Sequence, residues 1–166
     1  MRRLILFRHA KAEPRGPGQD DFDRPLARRG WEDAAIVGRA LARDGFAPDM
    51  ALVSSARRTN ETWIGAQDCF PSAKTELARE IYDATPEAIR EAIDGAADRC
   101  DTLIVIGHNP GLHEVAIELL IVHGMQLTTK DWWRCAPPSR RMTGLTVPRI
   151  ASGRRACGAS GWRSGV

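Results

Sequence analysis

Apolar residues fall in two kinds of pattern along the chain. "LILF" (4–7), "MALVSS" (50–55) and "TLIVIG" (102–107) are short continuous runs, the mark of strands covered on both faces. "TELAREI" (75–81) is a weaker strand candidate. Between these runs the apolar positions recur every three or four residues. Trp31, Ala34, Ala35, Gly38, Leu41 and Ala42 share one face of a helix that starts near Ala27. Residues 55–67 form a second predicted helix. Ala88, Ile89, Ala92, Ile93, Ala96 and Ala97 mark a third, with Thr85 as N-cap and Pro86 at the first position. Leu112, Val115, Ala116, Leu119 and Leu120 mark a fourth, with Asn109 as cap and Pro110 next. Strands alternating with helices predict a layered α/β domain with a mostly parallel sheet. "EPRGPGQDD" (13–21) reads as a loop.

The length of 166 residues suits one domain with a sizeable core, and the apolar and charged fractions are those of globular chains. No apolar run is long enough to span a membrane, and the run after Arg2 and Arg3 is too short for a signal peptide, so a cytoplasmic location is expected. The four cysteines, Cys69, Cys100, Cys135 and Cys157, form no CxxC pair, which argues for free thiols and against a structural zinc site.

The net charge of +3 is unevenly spread: residues 1–133 carry −4, and residues 134–166 carry seven arginines and no acid. The domain is therefore placed at 1–133, and 134–166 is read as an atypical basic tail rich in Arg, Gly and Ser. Two origins are open for it: a reading-frame shift that leaves a disordered segment, or a divergent functional end. "GLTVPRI" (144–150) could still supply an edge strand, with Pro148 keeping it there. The tail has no lysine and no repeated spacing, so nucleic-acid binding is disfavoured. His113 and His123, beyond the fourth stripe's cap, read as structural.

Candidate chemistry sits where strands end. The first run enters Arg8 and His9, the third enters Gly107 and His108, and the second leads through Ser54 and Ser55 to Arg57 and Arg58. Ligands of open α/β sheets bind beyond the carboxyl ends of strands. Parallel neighbours would bring two histidines and two or three arginines to one spot. Cations so crowded need an anion among them. The guanidinium fork matches phosphate oxygens, and a helix N-terminus after "HNPG" (108–111) adds to the pull. No metal-ligand spacing of Asp, Glu and His occurs, and no cofactor is implied.

"RHAKAE" (8–13), "SSARRTNET" (54–62) and "GHNPG" (107–111), in that order, resemble the histidine phosphatase superfamily with its RHG or RHA motif. "DFDRPLARRG" (21–30) and the short length resemble its SixA-like branch of phosphohistidine phosphatases. The resemblance spans roughly residues 3–124. It implies a three-layer α/β/α fold of the phosphoglycerate mutase-like kind, needing no metal. It makes His9 the nucleophile that carries the phosphoryl group. Arg8 and Arg58 would bind the phosphoryl oxygens, and His108 and Asn109 would complete the pocket. Arg58 is preferred to Arg57 because the family arginine stands four residues before a threonine, here Thr62. Asp23 and Arg24 would shape the loop beside the pocket.

The general acid is less defined. Many members use a carboxylate that follows the third strand, which points to Glu80 or Asp83, whereas the SixA branch generally lacks one. The implied substrate is a phosphohistidine-bearing protein. The alternatives are a small phosphomonoester, which requires Glu80 or Asp83 as the acid, and a phosphate-binding module without turnover. The partner and oligomeric state are not readable.

Overall fold

The computed structural model describes Met1 and residues 3–122 and 144–147. The remainder of the basic tail, His123, Cys135, Cys157 and residues 148–150 of the proposed edge strand lie outside the described residues. The elements run β1 (Arg3–Arg8), α1 (Arg28–Arg43), β2 (Met50–Ser54), α2 (Arg57–Gln67), β3 (Lys74–Ala78), a 3₁₀ turn (Arg79–Ile81), α3 (Pro86–Ala97), β4 (Thr102–Gly107), α4 (Gly111–Val122) and β5 (Gly144–Val147). The sheet order is β3-β2-β4-β1-β5. β1, β2, β3 and β4 are parallel, and β5 pairs antiparallel with β1 at the edge.

The two-residue period of the strands divides the core into two layers. Ile5 and Phe7 of β1, Ala51 and Val53 of β2, and Ile104 and Ile106 of β4 pack with Leu41 of α1 and Trp63 of α2. Leu4 and Leu6, Met50 and Leu52, and Leu103 and Val105 face the other way, onto Ile89 and Ile93 of α3 and Val115 of α4. Every residue of β2 and β4 is buried, which is why these strands read as unbroken apolar runs. Among the described residues no helix is long and apolar enough to cross a membrane. Cys69 and Cys100 are free thiols.

The structure adjusts several expectations. The run 75–81 is not one strand: β3 ends at Ala78 and the chain turns through Arg79–Ile81. β3 is an outer strand with only Ala78 buried, so its apolar pattern is thin. In α1 the last member of the expected stripe, Ala42, is exposed, whereas Asp33 is buried. Helix α4 begins at Gly111, so Pro110 precedes it and Asn109 stands one residue further out than the cap spacing suggests. Thr85 does cap α3, accepting from the Ala88 N–H, with Pro86 in the first turn.

Gly111 shows how closely this region is packed. A Cβ there would lie 2.4 Å from the Ala84 carbonyl oxygen and 2.8 Å from Ile89 Cδ1. Gly111→Ala should therefore cost roughly 1–3 kcal/mol of unfolding free energy. At Gly95 of α3 an added Cβ meets nothing within 4 Å, so Gly95→Ala should be neutral or gain up to about 1 kcal/mol. Denaturant titration of the two variants checks the contrast.

Candidate active site

The parallel pairing of β1 with β4 sets Arg8 opposite Gly107, so both chains leave the sheet at the same level. The next residues are His9 and His108, whose ring centroids lie 5.2 Å apart. β2 lies on the other side of β4 and ends at Ser54, whose Oγ is 2.8 Å from His108 Nε2. The second motif then turns into α2 and carries Arg58 back over the strand ends.

Arg58 and Arg57 face opposite environments. Arg57 is exposed and pairs with Glu61 at 2.7 Å. Arg58 is only 6% exposed. Its Nε–H donates to His9 Nε2 at 3.3 Å, and its Nη2 donates to His108 Nδ1 at 3.1 Å. Thr62, one turn further along α2, ties the helix to the loop after His9. Its hydroxyl accepts from the Ala10 N–H at 3.0 Å and donates to the Arg58 carbonyl at 2.6 Å.

These contacts fix the tautomers. The carbonyl of Ala10 can only accept, so His9 Nδ1 carries the proton and donates to it at 2.8 Å. His9 Nε2 is left with a bare lone pair. In His108 the bare nitrogen is Nδ1, which accepts from Arg58, so Nε2–H donates to Ser54 Oγ. Both rings are neutral. Burial is the main cause, helped by the charge of Arg58: the His9 pKa falls to about 4 and that of His108 to about 3. Arg8 is exposed at the end of β1, close enough for its charge to depress both histidines further.

The remaining predicted residues lie further out. Asn109 is exposed at the turn before α4, and the Leu112 N–H beyond it is taken by the His108 carbonyl at 3.0 Å. Glu80 and Asp83 are both exposed, Asp83 with a positive φ of 48°. His113 is exposed on α4. From the segment after β3, the side chain that reaches the cluster is Tyr82. Its ring meets His108 edge-on at 5.3 Å, and its hydroxyl lies 3.3 Å from Asp21 Oδ2. Asp21 is the larger surprise. Its Oδ2 accepts from Arg58 Nη2 at 2.8 Å, its carbonyl accepts from Arg58 Nη1 at 2.5 Å, and its Oδ1 accepts from Arg24 at 2.9 Å. The sequence signal was present, since Asp21 opens "DFDRPLARRG", but a loop carboxylate gives no period that would single it out. Among the described residues no group of three or more His, Cys, Asp or Glu is placed to hold a metal ion.

The cluster can bind an anion between two neutral imidazoles and an arginine, and it offers an unprotonated ring nitrogen there. No family model matches the chain. An uncharacterized protein of Mycobacterium tuberculosis is 36% identical over 146 residues, covering 87% of each chain. The crystal structure of a protein assigned as the phosphohistidine phosphatase SixA of Agrobacterium tumefaciens superposes with a TM-score of 0.70 at 29% identity, over 89% of this chain and 91% of that one. A second such assignment, from Nakamurella multipartitia, gives a TM-score of 0.65 at 26% identity, over 82% of this chain and 78% of that one. The order of the three motifs, the mostly parallel sheet and these neighbours, both assigned as SixA, agree: the chain is a phosphatase of the histidine phosphatase superfamily.

Proposed function

We propose that the protein removes phosphoryl groups from a phosphohistidine-bearing protein, through a covalent phosphohistidine on His9. The observation that carries this reading is the state of His9: its proton is held on Nδ1 by the Ala10 carbonyl, and its bare Nε2 faces Arg58. In the first step Nε2 attacks phosphorus, the P–N bond of the substrate breaks, and the departing imidazole takes a proton from water. In the second step water attacks phosphorus and gives a proton to the hydroxide left by the first step, while the P–N bond to His9 breaks, releasing inorganic phosphate and restoring the lone pair on Nε2. Arg8 and Arg58 stabilise the equatorial oxygens, and Arg58 keeps its aim through His108, with Asn109 at the rim. Fixed cations thereby fill the role that metal ions take in other phosphatases.

The leaving group separates the protein-substrate reading from the small phosphomonoester reading. An alkoxide needs a proton more than an imidazole does. Glu80 and Asp83, the candidates for that acid, are exposed, which supports the phosphohistidine substrate. The smaller substrate retains support from fold neighbours such as the ecdysone phosphate phosphatase of Bombix mori. Rates on a phosphohistidine protein and on a simple alkyl phosphate, measured side by side, decide between them.

Three outcomes are expected. Incubation with substrate and acid quench should be avoided in favour of alkaline quench, after which label should lie on the peptide containing His9; His9→Ala should lose both label and turnover. Arg58→Ala should lower turnover by about 10²- to 10³-fold, because it removes stabilisation that grows as charge develops, while Arg57→Ala should change it little at equal folded fraction. Dependence of stability on pH provides the third. Unfolded histidine takes up protons near pH 6.5, whereas His9 and His108 resist until about pH 4 and about pH 3. Stability should therefore fall as pH drops from about 6.5 to about 4, and His9→Asn should flatten part of that slope in thermal melts.

A further inference from the structure

The planar guanidinium of Arg58 presents two edges. The inner edge, made by Nε and one Nη2 hydrogen, faces the histidines. Nε donates to His9 Nε2 at 3.3 Å and Nη2 to His108 Nδ1 at 3.1 Å. The outer edge, made by Nη1 and the other Nη2 hydrogen, is taken by a single residue. Nη1 donates to the Asp21 carbonyl at 2.5 Å and Nη2 to Asp21 Oδ2 at 2.8 Å. The two edges differ in kind. The inner contacts are long and go to neutral rings. The outer contacts are shorter, and the one to Oδ2 joins opposite charges. A phosphoryl group that enters among the histidines takes the inner edge in place of the imidazoles. Among the described residues, the hydrogen bonds then left to orient the guanidinium are those to Asp21.

Asp21 is itself held firmly enough for that task. Its Oδ1 accepts from Arg24 at 2.9 Å, and the Tyr82 hydroxyl lies 3.3 Å from its Oδ2. Its carbonyl also accepts from the Arg24 N–H at 3.3 Å, so a turn of the loop fixes the direction of that oxygen. The loop is docked on α2, the helix that carries Arg58. The Arg57 N–H donates to the Phe22 carbonyl at 3.0 Å, and the Leu26 N–H donates to Glu61 Oε2 at 2.6 Å. The base of the loop is closed by the Ala12–Leu26 bridge. Clamp and clamped residue therefore share one frame.

We propose that Asp21 is a positioning residue for phosphoryl transfer: it clamps the outer edge of Arg58, so that the inner edge stays aimed at the phosphoryl oxygens once the histidines have given it up. It acts through Arg58 and keeps its place as the pocket fills. The inference rests on the phosphoryl pocket proposed above and holds for either class of substrate.

The test is a double-substitution cycle of turnover in the wild type, Asp21→Ala, Arg58→Ala and the combined variant. Each is checked for a cooperative thermal transition and assayed on a phosphohistidine protein and on a simple aryl phosphate. Loss of the clamp should lower kcat about 10- to 100-fold in Asp21→Ala. In the Arg58→Ala background the same substitution should change kcat by less than about threefold, because the residue it acts through is gone. A purely structural role predicts that the two losses multiply. Multiplied losses, or an Asp21→Ala kcat equal to that of the wild type, overturn the proposal and leave the pocket intact. Wild-type turnover confined to the aryl phosphate overturns the phosphohistidine reading instead, and the cycle on that substrate decides the role of Asp21. Absence of wild-type turnover on both substrates overturns the proposal together with the reading. A crystal structure of the wild type with inorganic phosphate serves even where Asp21→Ala does not fold. Phosphate oxygens should replace His9 and His108 on Nε and Nη2 while both Asp21 contacts remain. A guanidinium that has left Asp21 alongside bound phosphate refutes the clamp.

Discussion

A guanidinium that is 6% exposed is the constraint around which the site is organised. A buried cation without partners is costly, so every wall around Arg58 must offer an acceptor. Two of those acceptors are imidazole nitrogens, and accepting from arginine obliges each to be bare. The neutrality of His9 and His108 follows from that hydrogen bonding as well as from burial. The carboxylate of Asp21 supplies the opposite charge, and its own pKa is held low by the two arginines it faces, against the opposing effect of burial. One residue thus sets the tautomer of two others and the ionisation of a third.

Strand geometry delivers these groups. Parallel register puts Arg8 level with Gly107, and the residues that follow are the two histidines. Neither histidine could meet the other if β1 and β4 were antiparallel, because their carboxyl ends would then be at opposite edges. Thr62 completes the placement from α2, joining the loop after His9 to the helix turn that carries Arg58. The clustered groups come from three separate segments aligned by backbone pairing, with only short side-chain reach left to settle.

Legibility followed burial and periodicity. β2 and β4 are buried along their whole length and were plain as apolar runs. β3 is exposed at most positions, and its true end at Ala78 is obscured by Ile81, which is buried from the turn rather than the strand. Arg58 was separable from Arg57 only through the resemblance, in which the family arginine stands four residues before a threonine, here Thr62. Asp21 and Tyr82 were not separable in this way. Both lie in irregular segments, where no period relates one residue to the next, and their partners are 37 and 61 residues away. Asn109 was expected at the cap of α4 and stands one residue before it, because capping rules locate a terminus only to within a residue or two.

The strand order has a consequence for how the chain becomes complete. β1 and β2 do not pair with each other; β4 lies between them and joins them. A nascent chain that ends before Thr102 holds β1 apart from the β2–β3 pair, with no backbone ladder connecting the two. The strand that closes the sheet also brings His108 to His9 and Arg58. Assembly of the fold and assembly of the pocket are therefore the same event, and a partial product lacking β4 has neither.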